Sequence, residues 1–466
     1  MLLKQYYLGC LAHASYLIGD ESTGIAAVID PRRDVVPYIE DAEREGMRIA
    51  HVILTHFHAD FVAGHLELRS RVGAEVHLGA RAEAEFGFTP AHDCATLDLG
   101  SHVRLRFLET PGHTPEAVSI LVYDLEEDAD RPHAVLTGDT LFIGDVGRPD
   151  LAASQGFTAD ELAGWLYDSL RDKLLPLPDA TLVYPAHGAG SLCGRNLSTD
   201  TVSTMGVQRT YNHALQPMTK DEFIEIATAE LPPAPSYFSR DAMLNRQESA
   251  RLPETPATRP LTLDEATQSL HEGAQAVDVR DPVDFAAAHL RGSTNVGLSG
   301  QFAQWAGALL DFEQPIVLIA YPGTEDEAVT RLARVGLDNV SGYLDGGMEA
   351  LERAPELMAT TERITAPTLA EQLSSDRPPR VLDVRSESEW EAGHIEGSLN
   401  VPLDQLPAHV IQLPTDRPLA VMCAGGYRSS IAASVLQQAG VRNFTELVGG
   451  FGAWEASRLE TAAGSG

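Results

Sequence analysis

Two histidines and an aspartate lie close together directly after an apolar run at Ile49–Leu54; they are His56, His58 and Asp60. The run reads as a buried β-strand, so the three side chains share a loop whose start the strand fixes. Imidazole nitrogens and carboxylate oxygens are common ligands of transition metals. The stretch therefore predicts a metal site, against the alternative of a polar loop whose histidines are only hydrogen-bonded.

Three later strands end in residues of the same types. His113 follows the alternating run Val103–Phe107 and a Pro-Gly turn, and Asp139 and His187 each follow an apolar run. One such residue is more often a core or turn residue than a ligand. Because four strand ends each carry His or Asp, we predict one metal site built from the whole set.

Two neighbouring stretches give weaker signals. The glycine-rich segment 144–151 contains Arg148 and Asp150, which either contact the substrate or pair with each other to fold the loop. Cys193 follows the His187 loop, where it is either a reactive thiol near the metal or a small buried residue. Both interpretations stay open from the sequence.

The elements that must position these residues alternate between strand and helix. Strand-like runs at 5–11, 15–18 and 25–29 precede a helical pattern at Val35–Arg44, and a second helical pattern at Val62–Val72 follows the histidine loop. Helices that alternate with strands indicate an α/β layered domain.

The C-terminal part of the chain contains an internal repeat. Asp278 recurs as Asp383 and Asn295 recurs as Asn400, so the offset is 105 residues in both cases. A period this long indicates two tandem domains and not a solenoid. Each copy alternates strands and helices, which predicts a small domain with a parallel sheet.

Length and net charge limit the classes of protein to which this chain can belong. The 466 residues suggest about three domains. The 67 acidic and 34 basic residues give a net charge of −33, which argues against nucleic acid and membrane surfaces as partners. The sequence has no signal-peptide pattern and no apolar run of about 18 residues, and its four cysteines are scattered. We therefore expect a cytoplasmic protein without a membrane segment.

The order of the metal-type residues resembles that of the metallo-β-lactamase superfamily, which implies an αββα sandwich with a metal at the sheet edges. Within the superfamily, the first half of the chain, to near Asn245, resembles the persulfide dioxygenase family. The motifs that carry this resemblance are LAHASYLIG at 11–19, THxHAD at 55–60, TPGHTP at 110–115, GRPDL at 147–151 and PAHGAG at 185–190.

Phe61 departs from the superfamily pattern. The two-metal hydrolases carry a second histidine directly after the motif aspartate, and here a phenyl ring replaces that ligand. This favours a single metal. The resemblance implies one Fe(II) per chain held by His56, His113 and Asp139, a set that leaves positions open for O₂ and a sulfur substrate, although zinc also accepts these ligands. Residues that would orient these ligands or handle protons are His58, Asp60 and His187.

Both C-terminal copies resemble rhodanese domains. In the second copy an apolar strand ends at Cys423, and a short loop leads directly into a helix. The N–H groups of this loop, with Gly425 and Gly426, and the helix N-terminus would favour a thiolate or persulfide on Cys423. Arg428 can hold a sulfite oxygen by charge-assisted hydrogen bonds.

The first copy lacks these groups. Ala320 occupies the cysteine position, and Thr324 or Glu325 falls near the arginine position. Without a thiol this copy cannot hold a persulfide. It resembles an inactive rhodanese domain, which we interpret as a spacer or docking platform.

These patterns divide the chain into four parts. We expect a metallo-β-lactamase-like domain at 1–245, a proline-rich linker at 246–260, an inactive rhodanese-like domain at 261–357 and an active rhodanese domain at 358–466. The predicted fold class is therefore α/β throughout, with an αββα sandwich followed by two small parallel-sheet domains.

The resemblances together imply a sulfur-oxidising enzyme of sulfide detoxification. A persulfide of glutathione, coenzyme A or a similar thiol would react with O₂ to give thiol and sulfite, and Cys423 would carry sulfane sulfur to or from sulfite and thiosulfate. The alternatives are a binuclear thioester hydrolase of the glyoxalase II type and a persulfide carrier or sensor. The sequence leaves open the carrier thiol, the direction of sulfur flow and whether the chain forms a homo-oligomer.

Overall fold

The structure, a computed structural model, describes residues 1–195, 197–229, 231, 233–248, 252, 258–414 and 416–463. It divides into two units, Met1–Glu254 with Ala333–Gly336 and Thr255–Leu332 with Leu337–Gly466. Most of the expected linker at 246–260 lies outside the described residues. Within the described part, no helix is long and apolar enough to cross a membrane.

Two six-stranded sheets form the centre of the N-terminal unit, and strands that follow one another along the chain are neighbours in each sheet. The first sheet contains β1–β6, at Leu2–Leu8, His13–Asp20, Ile25–Ile29, Arg48–Ile53, Glu75–Gly79 and Thr89–Ala91. The second contains β7–β12, at Thr96–Asp98, Val103–Glu109, Val118–Asp124, Ala134–Gly138, Leu182–Pro185 and Ser203–Thr204.

Helices complete the layers of this unit. They are α1–α6, at Val36–Arg44, His65–Val72, Ala159–Ser169, Met205–Tyr211, Lys220–Thr228 and Phe238–Leu244. The sheets pack face to face through alternate apolar residues, with Ile53 of one sheet and Ile120 of the other in the same core cluster. Leu166 of α3 and Phe223 of α5 pack with Val135 on the outer face of the second sheet. The predicted αββα sandwich is thereby confirmed.

Parallel pairing decides where the strand ends meet. Strands β3, β4 and β5 run parallel to one another, and so do β10 and β11. Because parallel strands present their carboxyl ends at the same sheet edge, the loops after Ile53, Gly138 and Pro185 open at the sandwich edge. These are the loops that carry the metal-type residues.

Each rhodanese-like copy forms a small α/β domain. We call residues 260–359 the first copy and residues 360–463 the second, because β13 begins at Pro260 and β19 ends at Ala359. Elements of the first copy are β13 Pro260–Leu261, α7 Leu263–His271, β14 Gln275–Asp278, α8 Pro282–Ala287, β15 His289–Leu290, β16 Thr294–Asn295, α9 Phe302–Leu309, β17 Ile316–Ile319, α10 Glu325–Ala333, β18 Val340–Leu344 and β19 Met358–Ala359.

The second copy repeats the same plan. Its elements are β20 Arg363–Ile364, α11 Ala366–Leu373, β21 Arg380–Asp383, α12 Glu387–Ala392, β22 Leu399–Asn400, α13 Leu406–His409, β23 Leu419–Met422, α14 Tyr427–Gln438, β24 Phe444–Leu447 and α15 Gly450–Ala456. The sheet orders are β13-β18-β17-β14-β16 and β20-β24-β23-β21-β22, so equivalent strands occupy equivalent places. Every pair within the two sheets is parallel, as the sequence predicts.

Candidate metal centre and sulfur-transfer loop

The histidine loop after β4 is fixed at both ends by buried polar side chains. Asp30, at the end of β3, accepts hydrogen bonds from the Thr55 backbone N–H at 2.7 Å and from the Thr55 hydroxyl at 2.8 Å. Asn245 donates to the carbonyls of His58 and Phe61, at 2.8 Å each. A buried loop whose backbone groups are satisfied in this way holds its side chains in one arrangement.

One candidate ligand set consists of His56, His113 and Asp139, whose donor atoms face one another within 4.8 Å. Asp139 Oδ2 lies 3.8 Å from His56 Nε2 and 3.4 Å from His113 Nε2. All three side chains are buried. The structure therefore brings together the residues that the sequence predicted as metal ligands, although the residues lie far apart along the chain.

Hydrogen bonds orient the two imidazoles of this set. His113 Nδ1 donates to the Arg148 carbonyl at 2.8 Å. His56 Nδ1 lies 3.0 Å from the Thr55 hydroxyl, which gives its own proton to Asp30 and so accepts from the imidazole. In both rings the Nε2 lone pair is left facing Asp139, which is the tautomer that a metal ligand needs.

The charges of this set suit a cation. Burial lowers the pKa of His56 and of His113, so both rings are neutral near pH 7. Burial opposes ionisation of Asp139, but the neighbouring positive charge of His187 holds the pKa of that carboxyl well below its usual range. Two neutral nitrogens and one carboxylate are a donor set that Fe(II) or Zn²⁺ accepts, so the residues present fit the implied metal.

Two glycines allow the backbone to approach this set closely. A Cβ on Gly147 would lie 2.1 Å from the Asp139 carbonyl oxygen and 2.9 Å from His113 Nδ1. A Cβ on Gly138 would lie 2.7 Å from the Thr55 hydroxyl oxygen, and its φ of 53° is in the left-handed region. Larger residues at either position would displace the side chains around the candidate metal.

A second group, formed by His58, Asp60 and His187, lies beside the first. His187 connects the two groups, because its Nδ1 lies 2.8 Å from Asp139 Oδ1 and its Nε2 lies 2.9 Å from Asp60 Oδ2. Burial disfavours the charged imidazole, yet the two carboxylates raise the pKa of His187 well above its usual value. His58 Nε2 lies 3.1 Å from Asp30 Oδ1. Carboxylates thus hold the imidazoles of this group, which suits an orienting or proton-holding role.

Phe61 fills the space next to this second group. Its buried ring lies 4.4 Å from the His58 ring and 4.1 Å from the His13 ring, measured between centroids. His13 is itself fully buried, and among the described residues neither of its ring nitrogens has a hydrogen-bond partner. No partner of His13 is visible in the sequence, although His13 begins β2 in the motif at 11–19. Only the fold, which brings β2 beside the His187 loop, shows that His13 belongs to this site.

The positions of Arg148 and Cys193 favour an ion pair within the loop for Arg148 and a buried, unreactive thiol for Cys193. Arg148 forms a bidentate pair with Asp150 of the same loop, at 2.7 and 2.8 Å, and also donates to the Leu192 carbonyl at 3.4 Å. Cys193 lies near Asp139 and His187, but burial raises the pKa of its thiol well above the ordinary value. A protonated, buried thiol is a poor nucleophile.

The second rhodanese-like copy places Cys423 in a loop of the predicted kind. Its buried sulfur accepts a hydrogen bond from the Gly426 N–H at 3.1 Å and lies 3.6 Å from the Ser429 hydroxyl. Gly426, with φ of 108°, is the residue from which α14 begins, and a Cβ on Gly425 would meet open space. The sulfur thus accepts a backbone N–H at the residue from which α14 begins, where the helix dipole favours negative charge.

Acidic residues that the sequence analysis did not single out support this loop. Glu389 of α12 binds the Arg428 guanidinium with both carboxylate oxygens, at 2.6 and 2.7 Å. Glu446 of β24 accepts a hydrogen bond from Ser429 at 2.8 Å and lies 3.0 Å from Arg363 Nε. The only signal for Glu389 in the sequence is the Ser386-x-x-Glu389 capping box, which explains its helix and not its contact with Arg428.

The equivalent loop of the first copy is occupied by its own side chains. Ala320 ends the strand, and the Gly323 N–H donates to Glu325 Oε2 at 2.7 Å. The Tyr321 hydroxyl binds the carboxylate of Asp284. A carboxylate thus accepts the glycine N–H in the first copy, whereas in the second copy the equivalent glycine N–H donates to a sulfur atom.

Profiles of known protein families match the N-terminal part and the two C-terminal copies separately. The profile of the metallo-beta-lactamase superfamily matches residues 8–187, and the profile of the rhodanese-like domain matches residues 262–354 and 365–457. The human protein "Persulfide dioxygenase ETHE1, mitochondrial" is 30% identical over 228 residues, which cover 48% of this chain and 80% of that protein.

Two further proteins are similar. The cytoplasmic hydroxyacylglutathione hydrolase of Arabidopsis thaliana is 36% identical over 187 residues, which cover 40% of this chain and 67% of that protein. A crystal structure of a metallo-beta-lactamase from Staphylococcus aureus subsp. aureus COL is 29% identical, with a TM-score of 0.68, and the match covers 73% of this chain and 98% of that one. Since 73% exceeds the share matched by the superfamily profile, this likeness continues into the rhodanese-like part.

Proposed function

The chain belongs to the metallo-β-lactamase superfamily and carries two rhodanese-like domains, and on this basis we propose that it is a non-haem iron persulfide dioxygenase joined to a sulfurtransferase. In the first reaction a persulfide, O₂ and water give a thiol, sulfite and two protons (RSSH + O₂ + H₂O → RSH + SO₃²⁻ + 2 H⁺). In the second, sulfane sulfur is exchanged between a persulfide and sulfite, with thiosulfate as the sulfur-bearing product.

The observation that carries the proposal is the pairing of the His56, His113 and Asp139 set with Phe61. The three ligands converge, whereas the phenyl ring lies against the imidazoles of the neighbouring group. In a two-metal hydrolase of the superfamily, a histidine at the position of Phe61 would supply a neutral nitrogen to the second metal. Three ligands at one metal leave coordination positions open, which suits a reaction of two small substrates.

The chain's own residues supply orientation and proton handling in the first reaction. When bound, Fe(II) would supply the redox chemistry that couples O₂ to sulfur oxidation. His56 and His113 are held by Thr55 and by the Arg148 carbonyl, so their lone pairs stay aimed at one point. His187 holds a proton between the carboxylates of Asp60 and Asp139, where it can compensate negative charge that develops on the sulfur product.

The second reaction uses Cys423 as the nucleophile. Its thiolate attacks the outer sulfur of the persulfide, the S–S bond breaks, and the thiol leaves, so the sulfane sulfur is carried on Cys423. Sulfite then attacks that sulfur and leaves as thiosulfate, which restores the thiolate. The Gly426 N–H stabilises the anionic sulfur, and Arg428 lies beside the loop as a cation for sulfite.

The first copy acts as a platform for helix α14 of the second copy. The Tyr427 hydroxyl donates to the Gly297 carbonyl at 2.7 Å, and the Ser430 hydroxyl donates to Asn295 Oδ1 at 2.7 Å. A Cβ on Gly300 would lie 2.4 Å from the Tyr427 ring. These contacts fix the helix that starts at the cysteine loop, which gives a domain without a thiol a reason to be retained.

O₂ uptake together with metal content tests the dioxygenase. Protein reconstituted with ferrous iron should consume O₂ on addition of glutathione persulfide or coenzyme A persulfide, and the preferred thiol should show the higher kcat/KM. His113→Ala should abolish both iron binding and uptake. The matched control is His102→Ala, which removes a partly exposed histidine beside Glu126 and should change neither.

The hydrolytic alternative predicts a different result. Hydroxyacylglutathione hydrolases are among the relatives, so a two-metal thioesterase is the competing function. Two zinc ions per chain, thioester cleavage and no O₂ consumption with any persulfide would support it and contradict the dioxygenase.

A further inference from the structure

Three potential ligands lie together on the neighbouring strands β4 and β5, outside the histidine loop. His51 on β4 pairs with Glu75 on β5, and His77 lies two residues after Glu75. Because alternate residues of a strand point to the same side, all three side chains share one face of the sheet. The donor atoms of His51, Glu75 and His77 form a group that shares no residue with the candidate metal centre.

The donor atoms have the spacing of a metal site. His51 Nδ1 lies 3.0 Å from His77 Nε2, and Glu75 Oε2 lies 3.7 Å from the first nitrogen and 3.9 Å from the second. A point in their plane that is equidistant from all three lies about 2.1 Å from each, within the zinc–nitrogen and zinc–carboxylate range of about 2.0–2.2 Å. An ion therefore fits with little movement of the side chains.

Surrounding contacts hold the donors in this arrangement. The His77 ring is 6% exposed and stacks on Phe107 at 6.5 Å between centroids, with 19° between the planes. Thr89 of β6 donates to Glu75 Oε1, which leaves Oε2 directed at the imidazoles. Glu75 is 53% exposed, so the remaining coordination positions of an ion would be open to water.

The protonation states are those of ligands. Burial lowers the pKa of His51, and it lowers the pKa of His77 to about 4, so both rings are neutral near pH 7. The hydrogen bond from Thr89 lowers the pKa of Glu75, which stays ionised. Without an ion, one proton is shared between the two facing nitrogens; an ion would replace this proton and use both lone pairs.

We propose that His51, Glu75 and His77 form a second metal site, which binds a divalent transition ion of the zinc and copper class. Two imidazoles and one carboxylate suit these ions and are poorly suited to Ca²⁺ or Mg²⁺, which prefer oxygen ligands. The ion cross-links β4 to β5. Since β4 ends at the loop that carries His56 and His58, the site stabilises the strand from which the candidate metal centre is built.

Zinc binding to the iron-loaded full-length chain tests the proposal. Protein is equilibrated with Zn²⁺, freed of unbound ion and analysed for zinc and iron. After subtraction of the zinc that has replaced released iron, wild type should retain one zinc ion per chain and His77→Ala should retain none. Glu75→Gln, which changes an exposed group, should fold normally and bind zinc at least about tenfold more weakly. His102→Ala should bind as wild type, because its imidazole faces Glu126 alone among the described carboxylates within 4 Å.

Anomalous diffraction at the zinc edge would locate the ion independently of affinity. A peak between His51 and His77 is the expected result. The proposal is overturned if wild type retains no zinc beyond the iron released, or if His77→Ala and Glu75→Gln both retain zinc with unchanged affinity.

Discussion

The two rhodanese-like copies share a frame and differ in one loop. Arg280 pairs with Asp278 at 2.6 Å in the first copy, and Arg385 pairs with Asp383 at 2.6 Å in the second. His289 stacks on the Phe285 ring in the first copy, at 3.8 Å between centroids. His394 stacks on the Trp390 ring in the second copy at the same distance. These buried pairs recur with the 105-residue offset, so the frame persists whether or not a thiol is present.

The loops of the two copies differ in the atom that accepts a hydrogen bond from the glycine N–H. In the second copy Gly426 donates to Cys423 Sγ, and in the first copy Gly323 donates to the carboxylate of Glu325. The acid on the preceding helix changes partner as well, since Glu389 binds Arg428 whereas Asp284 binds a tyrosine hydroxyl. The proposed sulfur chemistry therefore depends on a few loop residues on a common frame.

Removal of the thiol should produce the largest effect. Cys423→Ser should lower thiosulfate formation by at least about 10³-fold, because the nucleophile is lost. O₂ uptake with a persulfide should stay near the wild-type rate, since the metal residues belong to the other domain. Cys94→Ser, which changes an exposed cysteine, is the control for both assays. Loss of O₂ uptake in Cys423→Ser would refute the division of labour.

A thiol placed in the first copy should remain unreactive. In the Cys423→Ser background, Ala320→Cys should not restore transfer, because Glu325 already accepts the Gly323 N–H and its charge disfavours a thiolate. Alkylation of the introduced thiol by iodoacetamide, followed by mass spectrometry, should be about tenfold slower than that of Cys423 in wild type, which corresponds to about 1.4 kcal/mol. Glu325→Gln should bring the alkylation rate of the introduced thiol closer to that of Cys423. Equal alkylation rates in all variants would contradict this explanation.

The acid on the helix should matter more in the second copy than in the first. Burial raises the pKa of Glu389, but the hydrogen bonds and charge of Arg428 outweigh burial and lower this pKa to about 2. The pair therefore stabilises the fold fully at pH values above 4.5, the pKa of the unfolded state. Because the carboxylate is 37% exposed, solvent screening reduces the effect, and Glu389→Gln should lower the free energy of unfolding by about 1 kcal/mol at pH 7.

Urea titrations at several pH values check this prediction. The difference between wild type and Glu389→Gln should shrink as the pH falls from 4.5 towards 2, where the carboxyl becomes protonated in the folded state too. Asp284→Asn in the first copy should have a smaller effect, because its partner is uncharged. A larger effect for Asp284→Asn would reverse the comparison.

The smallest expected effect concerns the support that one copy gives to the other. Ser430→Ala removes the hydrogen bond to Asn295 without changing the loop, and should lower kcat/KM for sulfur transfer by about threefold, the lower end of a net hydrogen-bond contribution. Ser457→Ala, which changes an exposed residue directly after α15, should leave the rate unchanged. Equal rates for the two variants would remove the argument that the first copy acts as a platform.

The sequence predicts the frame well and also points to the candidate site residues, because both follow from local patterns. Strand ends locate His56, Asp139 and Cys423, and the repeat exposes Ala320 by simple alignment. Contacts between distant elements do not follow from such patterns. Asn245 reads as the end of a domain, yet it clamps the histidine loop through two carbonyls.

Side-chain direction is the other reason for what the sequence does not predict. Glu325 turns back onto the Gly323 N–H, which depends on the geometry of the loop and not on the residue type. His51 and His77 meet because β4 and β5 pair in one particular parallel register. A shift by one residue would send the two imidazoles to opposite faces.

The contact between Tyr427 and the first copy connects the candidate sulfur-transfer loop to the neighbouring domain. Tyr427 is the first residue of α14, directly after this loop, and its ring rests on Gly300 while its hydroxyl reaches the Gly297 carbonyl. A chain that contained the second copy alone would carry Cys423 but would leave this side of α14 without these contacts. The two copies therefore form one structural unit, although the reactive cysteine belongs to the second alone.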